Sequence, residues 1–228
     1  MILVLLGCAV EQALVVAPDP PRPPAEPSAE PSVPNADTAA PPPDTEAPPE
    51  DTGPVAPRAP EAGELVLAEL MIDPAAVADA HGEWIEIVSV ASDPLDWTGL
   101  ELADDGVDLT VALGSGVVAP GGRFVVCADG DAAANGGVSC DGTWLYHAFG
   151  GGLALANTGD ELEIRLGGAV LDRVTWSAGF AEVGAATGLE PSAENAADND
   201  EATRWCAAVA ALPGGDSGTP GEPNRPCP

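Results

Sequence analysis

The sequence predicts an all-β protein, an antiparallel β-sandwich preceded by a disordered proline-rich linker, and three observations carry that expectation. Roughly eight short runs with apolar residues at alternate positions follow one another from Leu65 onward, at spacings of about 8–12 residues. Glycine and proline punctuate them, 27 and 25 residues in a chain of 228, as tight turns between strands require. No stretch competes with the three-to-four-residue apolar period of an amphipathic helix.

The first run, Leu65 to Ile72, stops at Asp73-Pro74, where proline removes the backbone donor that a ladder needs. The next is Glu83-Trp84-Ile85-Glu86-Ile87, in which isoleucines alternate with acidic side chains, the pattern of a half-buried strand. Ser92-Asp93-Pro94 then marks a turn, and Leu100 and Leu102 alternate with Glu101 and Ala103. Further strands are expected at Val107–Leu113 and, after the turn Ala119-Pro120-Gly121-Gly122, at Arg123–Cys127. The last are Gly152–Leu155, Glu161–Leu166 and Ala169–Trp176, the final pair joined by Gly167-Gly168 as a two-residue hairpin. Alternation turns Leu162, Ile164 and Leu166 inward and leaves Glu161, Glu163 and Arg165 in water.

Three of these segments together resemble the lamin-tail domain in its bacterial form. That family opens with an apolar strand carrying a Glu and ending near Asp-Pro, continues with Glu-Trp/Tyr-Ile-Glu, and then has Asp-Leu-Ser/Thr-Gly-Trp-x-Leu. The counterparts here are Leu67 to Pro74 with Glu69, then Glu83 to Ile87, then Asp96-Trp97-Thr98-Gly99-Leu100-Glu101-Leu102. Ser89 stands where the family usually has Asn. Trp97 and Leu100 exchange the family's Leu and Trp, which keeps the packed volume roughly constant. Gly218-Thr219-Pro220-Gly221-Glu222-Pro223-Asn224 resembles the family's Gly-Thr-Pro-Gly-x-x-Asn ending. The resemblance covers about residues 64–228 and implies an immunoglobulin-like sandwich. It transfers no catalytic residue, because such domains are attached to many unrelated proteins.

Composition narrows the partners. The chain has 37 acidic and 7 basic residues; residues 64–228 hold 27 and 5 of them, a net charge of −22. A surface so acidic repels phosphate backbones and argues against nucleic acid.

Residues 1–17 form a signal or lipobox region in which Leu5-Leu6-Gly7-Cys8 resembles a bacterial lipobox, with Cys8 the lipidated first residue of the mature chain. The segment lacks the basic start and the full apolar run of an export signal, so the true start is expected upstream. Residues 18–63 contain 16 of the prolines, cannot bury enough apolar area to fold and are expected to be a disordered spacer. With Cys8 set aside, Cys127, Cys140, Cys206 and Cys227 remain, an even count that suits an oxidising compartment. Three pairings are possible, and proximity favours Cys127–Cys140 and Cys206–Cys227. A zinc site is disfavoured by the lack of Cys-x-x-Cys and by only two histidines.

Several constellations suggest chemistry. Asp129, Asp131 and Asn135, with Asp141, space oxygen donors between glycines as calcium sites do, although Ala133 and Cys140 occupy positions where an EF-hand loop has ligands. The alternative is a polar hairpin loop tied by Cys127–Cys140. Gly215-Asp216-Ser217-Gly218 copies the nucleophile segment of chymotrypsin-like proteases, but His81 lies in no matching context, so a glycine-rich turn explains it better. His81-Gly82-Glu83 lacks the cysteine pair of a zinc deaminase, and His147 has no acid or thiol beside it; both histidines are expected in loops or at strand edges. Glu69, Glu83 and Glu86 are expected to be solvent-facing or backbone-bonding carboxylates, with a shared cation site as the alternative.

The sequence thus predicts an envelope-anchored module on an acidic stalk, held by a lipid anchor in the outer membrane or at the cell surface. Its partner would be a protein or polysaccharide of the envelope, and it would have no catalysis of its own. The alternatives are a secreted metal-dependent hydrolase and, if Cys8 carries no lipid, a soluble periplasmic or extracellular calcium-binding module.

Overall fold

A computed structural model describes residue 53 and residues 55–104, 109–111, 113–147 and 152–228. The lipobox with Cys8 and nearly all of the proline-rich segment lie outside the described residues. The fold is all-β, and its one α-helix among the described residues is the four-residue Asp79–Gly82.

Six strands form the larger sheet. Its centre is β1 (Leu65–Met71) beside β2 (Trp84–Ser89), flanked by β7 (Arg123–Cys127) and then β8 (Gly142–Thr143); on the other side lie β11 (Thr187–Leu189) and the edge strand β12 (Trp205–Ala207). Four strands form the second sheet, in the order β10 (Ala169–Ser177), β9 (Gly159–Leu166), β4 (Leu100–Asp104) and β5 (Leu109–Val111). A short ribbon pairs β3 (Leu95–Asp96) with β6 (Val117–Val118). All pairings between these strands are antiparallel except β7–β8, which is parallel.

One cluster of buried side chains takes residues from both sheets. Ile85, Ile87, Phe124 and Val126 enter from the larger sheet, and Leu100, Leu102, Leu162, Ile164, Val174 and Trp176 from the smaller. Trp97 stacks on Phe124 with ring centroids 4.9 Å apart. It fits there because Gly116 leaves a slot: a Cβ at that position would stand 2.8 Å from the indole. A second cluster, built on Met71, Trp84, Val125 and Cys127, lies on the other face of the larger sheet under Val138, Ala186 and Leu212. The six-stranded sheet is therefore buried on both faces, and every residue of β1 and of β2 is buried.

Several expectations change. The runs Glu83–Ile87 and Leu100–Asp104, joined by the Ser92-Asp93-Pro94 turn, fall in different sheets, as parts of β2 and β4. Gly152–Leu155 forms no strand and makes one isolated bridge, Tyr146 with Leu153. Of the expected strand Val107–Leu113, Leu109–Val111 form β5 and Leu113 lies in no strand, while 107, 108 and 112 lie outside the described residues. Glu163 is buried, not in water, because the Arg165 guanidinium folds back onto it. Arg58, placed by composition in the linker, is bonded to the domain through Pro94 O, Asp96 N–H and the carboxylates of Glu64 and Asp93. The Gly167-Gly168 turn does close β9 onto β10, both glycines having positive φ, 57° and 83°.

Two disulfides are present, Cys127–Cys140 and Cys206–Cys227, with Cα atoms 6.0 and 5.8 Å apart. These are the pairs that short-loop closure favours.

Candidate functional site

Motif residues from three segments, Glu69, Glu86 and the stretch 218–224, meet on the outer face of the six-stranded sheet. Glu69 on β1 and Glu86 on β2 are cross-strand neighbours, and neither has exposed surface. Alternation turns them away from the core between the sheets, as expected, but the segment 216–224 covers that face. Thr219 N–H donates to Glu69 at 3.0 Å, and Gly221 N–H donates to Glu86 at 2.7 Å. Asn224 completes the clasp by donating its carboxamide N–H groups to Ala68 O at 2.7 Å and Leu189 O at 3.1 Å.

The Thr219 hydroxyl stands between two acceptors. Both Asn224 N–H groups are spent on those two carbonyls, so its Oδ1 must accept, and the donor at 2.9 Å is the Thr219 hydroxyl. A hydroxyl has one proton. The Thr219 hydroxyl therefore shares its proton between Asn224 Oδ1 and Glu69 Oε2, the latter at 3.0 Å. Burial and the nearby Glu86 charge outweigh the Thr219 hydrogen bonds and push the Glu69 carboxyl up to about 8. Glu86 is pushed to about 7 by burial. The Arg123 guanidinium, 2.8 Å away, offsets only part of this because Glu194 shares it.

Glu83 has the parity of Ile85 and Ile87 and points the other way, into the protein. It accepts Leu155 N–H at 2.9 Å, and burial pushes it up to about 9. The three glutamates are thus buried and bonded to backbone, which corrects the solvent-facing half of the expectation. They also divide between the two faces of the larger sheet, Glu83 against Glu69 and Glu86.

The candidate calcium oxygens are engaged within their own loop. Asp129 accepts Asp131 N–H, and Asp131 accepts Ala133 N–H, each at 2.9 Å. Asn135 is buried; its Oδ1 accepts the N–H groups of Gly137 and Val138, and its Nδ2 donates to Asp129 O and Val138 O. Asp141 turns to Val125 N–H on β7, at 2.8 Å. These are side chains tying turns and an edge, a use for which Asx residues suit. Among the described residues no group of three or more His, Cys, Asp or Glu is arranged to hold a metal.

His81 Nδ1 lies 2.6 Å from Asp129, so this pair sits at the surface of the same loop. That hydrogen bond, after the one from Asp131 N–H, lowers the Asp129 carboxyl. In the protease-like segment, Asp216 accepts the N–H groups of Ala75 and Ala76, and Ser217 is bridged through its backbone to Ala185 and Ala211. The segment is a turn pinned by Asp216, and His81 is directed elsewhere.

Sequence reasoning missed one polar centre. Asp172, on β10, is buried between the sheets; its Oδ2 accepts Leu67 N–H at 2.7 Å and Asn199 Nδ2–H at 2.8 Å. Burial pushes its carboxyl up to about 6. The signal was available, since Asp172 follows Leu171 at a register shift of β10 and breaks the apolar alternation there.

Comparison with family models, with curated proteins and with solved structures finds no match to this chain.

Proposed function

We propose that this chain is an envelope-anchored interaction or structural module, an immunoglobulin-like sandwich of the lamin-tail kind displayed on a proline-rich stalk, with no chemistry of its own. One observation carries the reading: the polar side chains of the motifs, Glu69, Glu83, Glu86 and Asn224, are spent on backbone groups of distant segments. Side chains so used build a rigid frame and leave the surface to recognise partners. The two disulfides suit a domain that works in an oxidising compartment. The lipobox-like Leu5-Leu6-Gly7-Cys8 supplies the anchor in this reading.

The test has two arms. Cys8→Ser should move the protein from membrane to soluble fractions; unchanged fractionation removes the anchor from the proposal. The full chain, immobilised and exposed to envelope extract with and without chelator, should retain a partner in both conditions. Metal-dependent turnover of a phosphoester by the purified chain would overturn the non-catalytic reading in favour of a hydrolase.

A further inference from the structure

We propose that the free edge of β12 is a docking strand for an extended cationic peptide of a partner protein, which adds to the six-stranded sheet and sends successive side chains into two pockets on opposite faces of that edge. The inference rests on the interaction-module reading above and names the surface and the class of partner.

The backbone parity of β12 comes first. Ala208 N–H donates to Ala186 O and Glu190 N–H donates to Arg204 O, while Gly188 pairs with Cys206 between them. Antiparallel pairs alternate in this way, so the polar groups of Cys206 face β11 and those of Trp205 and Ala207 face outward. Trp205 N–H is turned to Ala202 O. That leaves Trp205 O with Ala207 N–H and O, and none of these is bonded to another described residue. Such a row is a template for one more strand.

Pockets flank this edge on both sides. A cavity of about 520 Å³ is lined by Trp176, Phe180, Trp205 and Ala207 together with Glu182. Its aromatic wall is continuous, Phe180 lying 6.0 Å from Trp176 and 5.5 Å from Trp205 between ring centroids. A smaller cavity of about 140 Å³ is lined by Ala207, Ala208, Val209 and Pro226, with Arg225 beside it. Cys206 and Ala207 border both cavities. An added strand alternates its side chains between the two faces of the sheet, so adjacent residues of one peptide meet the two pockets in turn.

Charge and shape commit the occupant. The aromatic pocket with the Glu182 carboxylate fits an arginine or lysine, its cation against a ring face and its stem along the wall. The small pocket fits Val, Ala or Pro, and Arg225 disfavours a second cation there. The net charge of −22 on residues 64–228 attracts a basic segment and repels the chain's own proline-rich stretch, which is itself acidic.

The probe is the blocked peptide acetyl-Thr-Val-Arg-Val-Thr-amide, titrated into the full chain and followed by tryptophan fluorescence and by the amide resonances of residues 205–208. Saturable binding is expected, weakened about tenfold or more when the arginine is replaced by glutamate or when the backbone amides are N-methylated. Glu182→Arg, at an exposed position, should cause a similar loss without changing the melting temperature. Ala207→Pro should abolish binding by removing the outward N–H. No binding at millimolar peptide, binding indifferent to Glu182→Arg, or self-association through this edge in place of peptide binding would each overturn the proposal. An envelope partner still captured by a folded Ala207→Pro chain would overturn this edge as the site and leave the interaction-module reading standing.

Discussion

The outer faces of the two sheets carry the same kind of residue and treat it differently. On the four-stranded sheet, Glu163 is paired with Arg165 and Arg173, whose side chains are 34 % and 54 % exposed. On the six-stranded sheet, Glu86 is paired with Arg123, which is 8 % exposed and shared with Glu194 under a covering segment. Both carboxylates are buried, but the one under the covering segment has a buried cation and the other is shielded only by arginines that remain partly in water. Alternation reports the face and says nothing of the cover.

The largest expected effect separates these two arginines. Arg123→Met leaves the Glu86 carboxylate buried without its cation and should cost about 3–5 kcal/mol in urea unfolding. Arg165→Met removes a partly exposed partner whose place at Glu163 water and Arg173 can take, and should cost about 1 kcal/mol or less. Equal losses at the two positions would erase the distinction drawn between the faces.

The clasp supplies the next test. Cys206 and Cys227 enclose the covering segment in a loop of 22 residues, and Cys127 and Cys140 one of 14. Each should stabilise by about 3 kcal/mol on the loop-entropy account. Removing Cys206–Cys227 should also raise hydrogen exchange at Thr219 and Gly221, whereas removing Cys127–Cys140 should leave those amides protected. Non-reducing peptide maps should return the same two pairs.

A smaller effect appears as pH dependence. The folded-state values of Glu83, Glu69, Glu86 and Asp172, near 9, 8, 7 and 6, all lie above the ordinary 4.5 for Glu and 3.8 for Asp. The folded state thus holds protons that the unfolded chain has released. This contribution is complete below about pH 4 and is lost as pH rises through those values. Glu64, lowered to about 2 chiefly by its bond to Arg58, has the opposite sign and loses its contribution as pH falls below the usual carboxylate range. Melting temperature should therefore fall steadily from about pH 5 to pH 9, and Glu69→Gln should flatten that slope up to about pH 8. A plateau across this range would contradict the raised Glu69 value.

The smallest effect concerns the loop at residues 129–141. Its carboxylates cap turns, so NaCl and CaCl₂ at matched ionic strength should raise the melting temperature alike by screening. Asp131→Ala should cost under about 1 kcal/mol and leave that response unchanged. A saturable calcium-specific increase lost in Asp131→Ala would show a site in place of a set of turns.

How much of this was legible in the sequence follows from the range of each cause. Leu65–Met71, Leu100–Asp104, Arg123–Cys127 and the β9–β10 hairpin were readable because alternation and turn chemistry act within a few residues. The strands β3, β6, β8, β11 and β12 have two or three residues each, too few to carry a period. The assignment of β2 and β4 to separate sheets was hidden because a turn signal shows that a chain bends and not where it goes. Of the candidate site, the residues Glu69, Glu83, Glu86 and Asn224 were visible as motif positions. Their burial was not, since it depends on partners about 70 to 150 positions away.

That distance sets an order of events in the cell. The bonds from Thr219, Gly221 and Asn224 back to the first two strands span 150, 135 and 156 residues. Until residues 218–224 have emerged from the ribosome, β1 and β2 present Glu69, Glu86 and the Ala68 carbonyl to water. Contacts of such span close slowly, because the entropy of a long loop is lost before any of them forms. A chain lacking this segment would expose the outer face of the central strands of its larger sheet, so that face is completed only when the last covering turn is laid down.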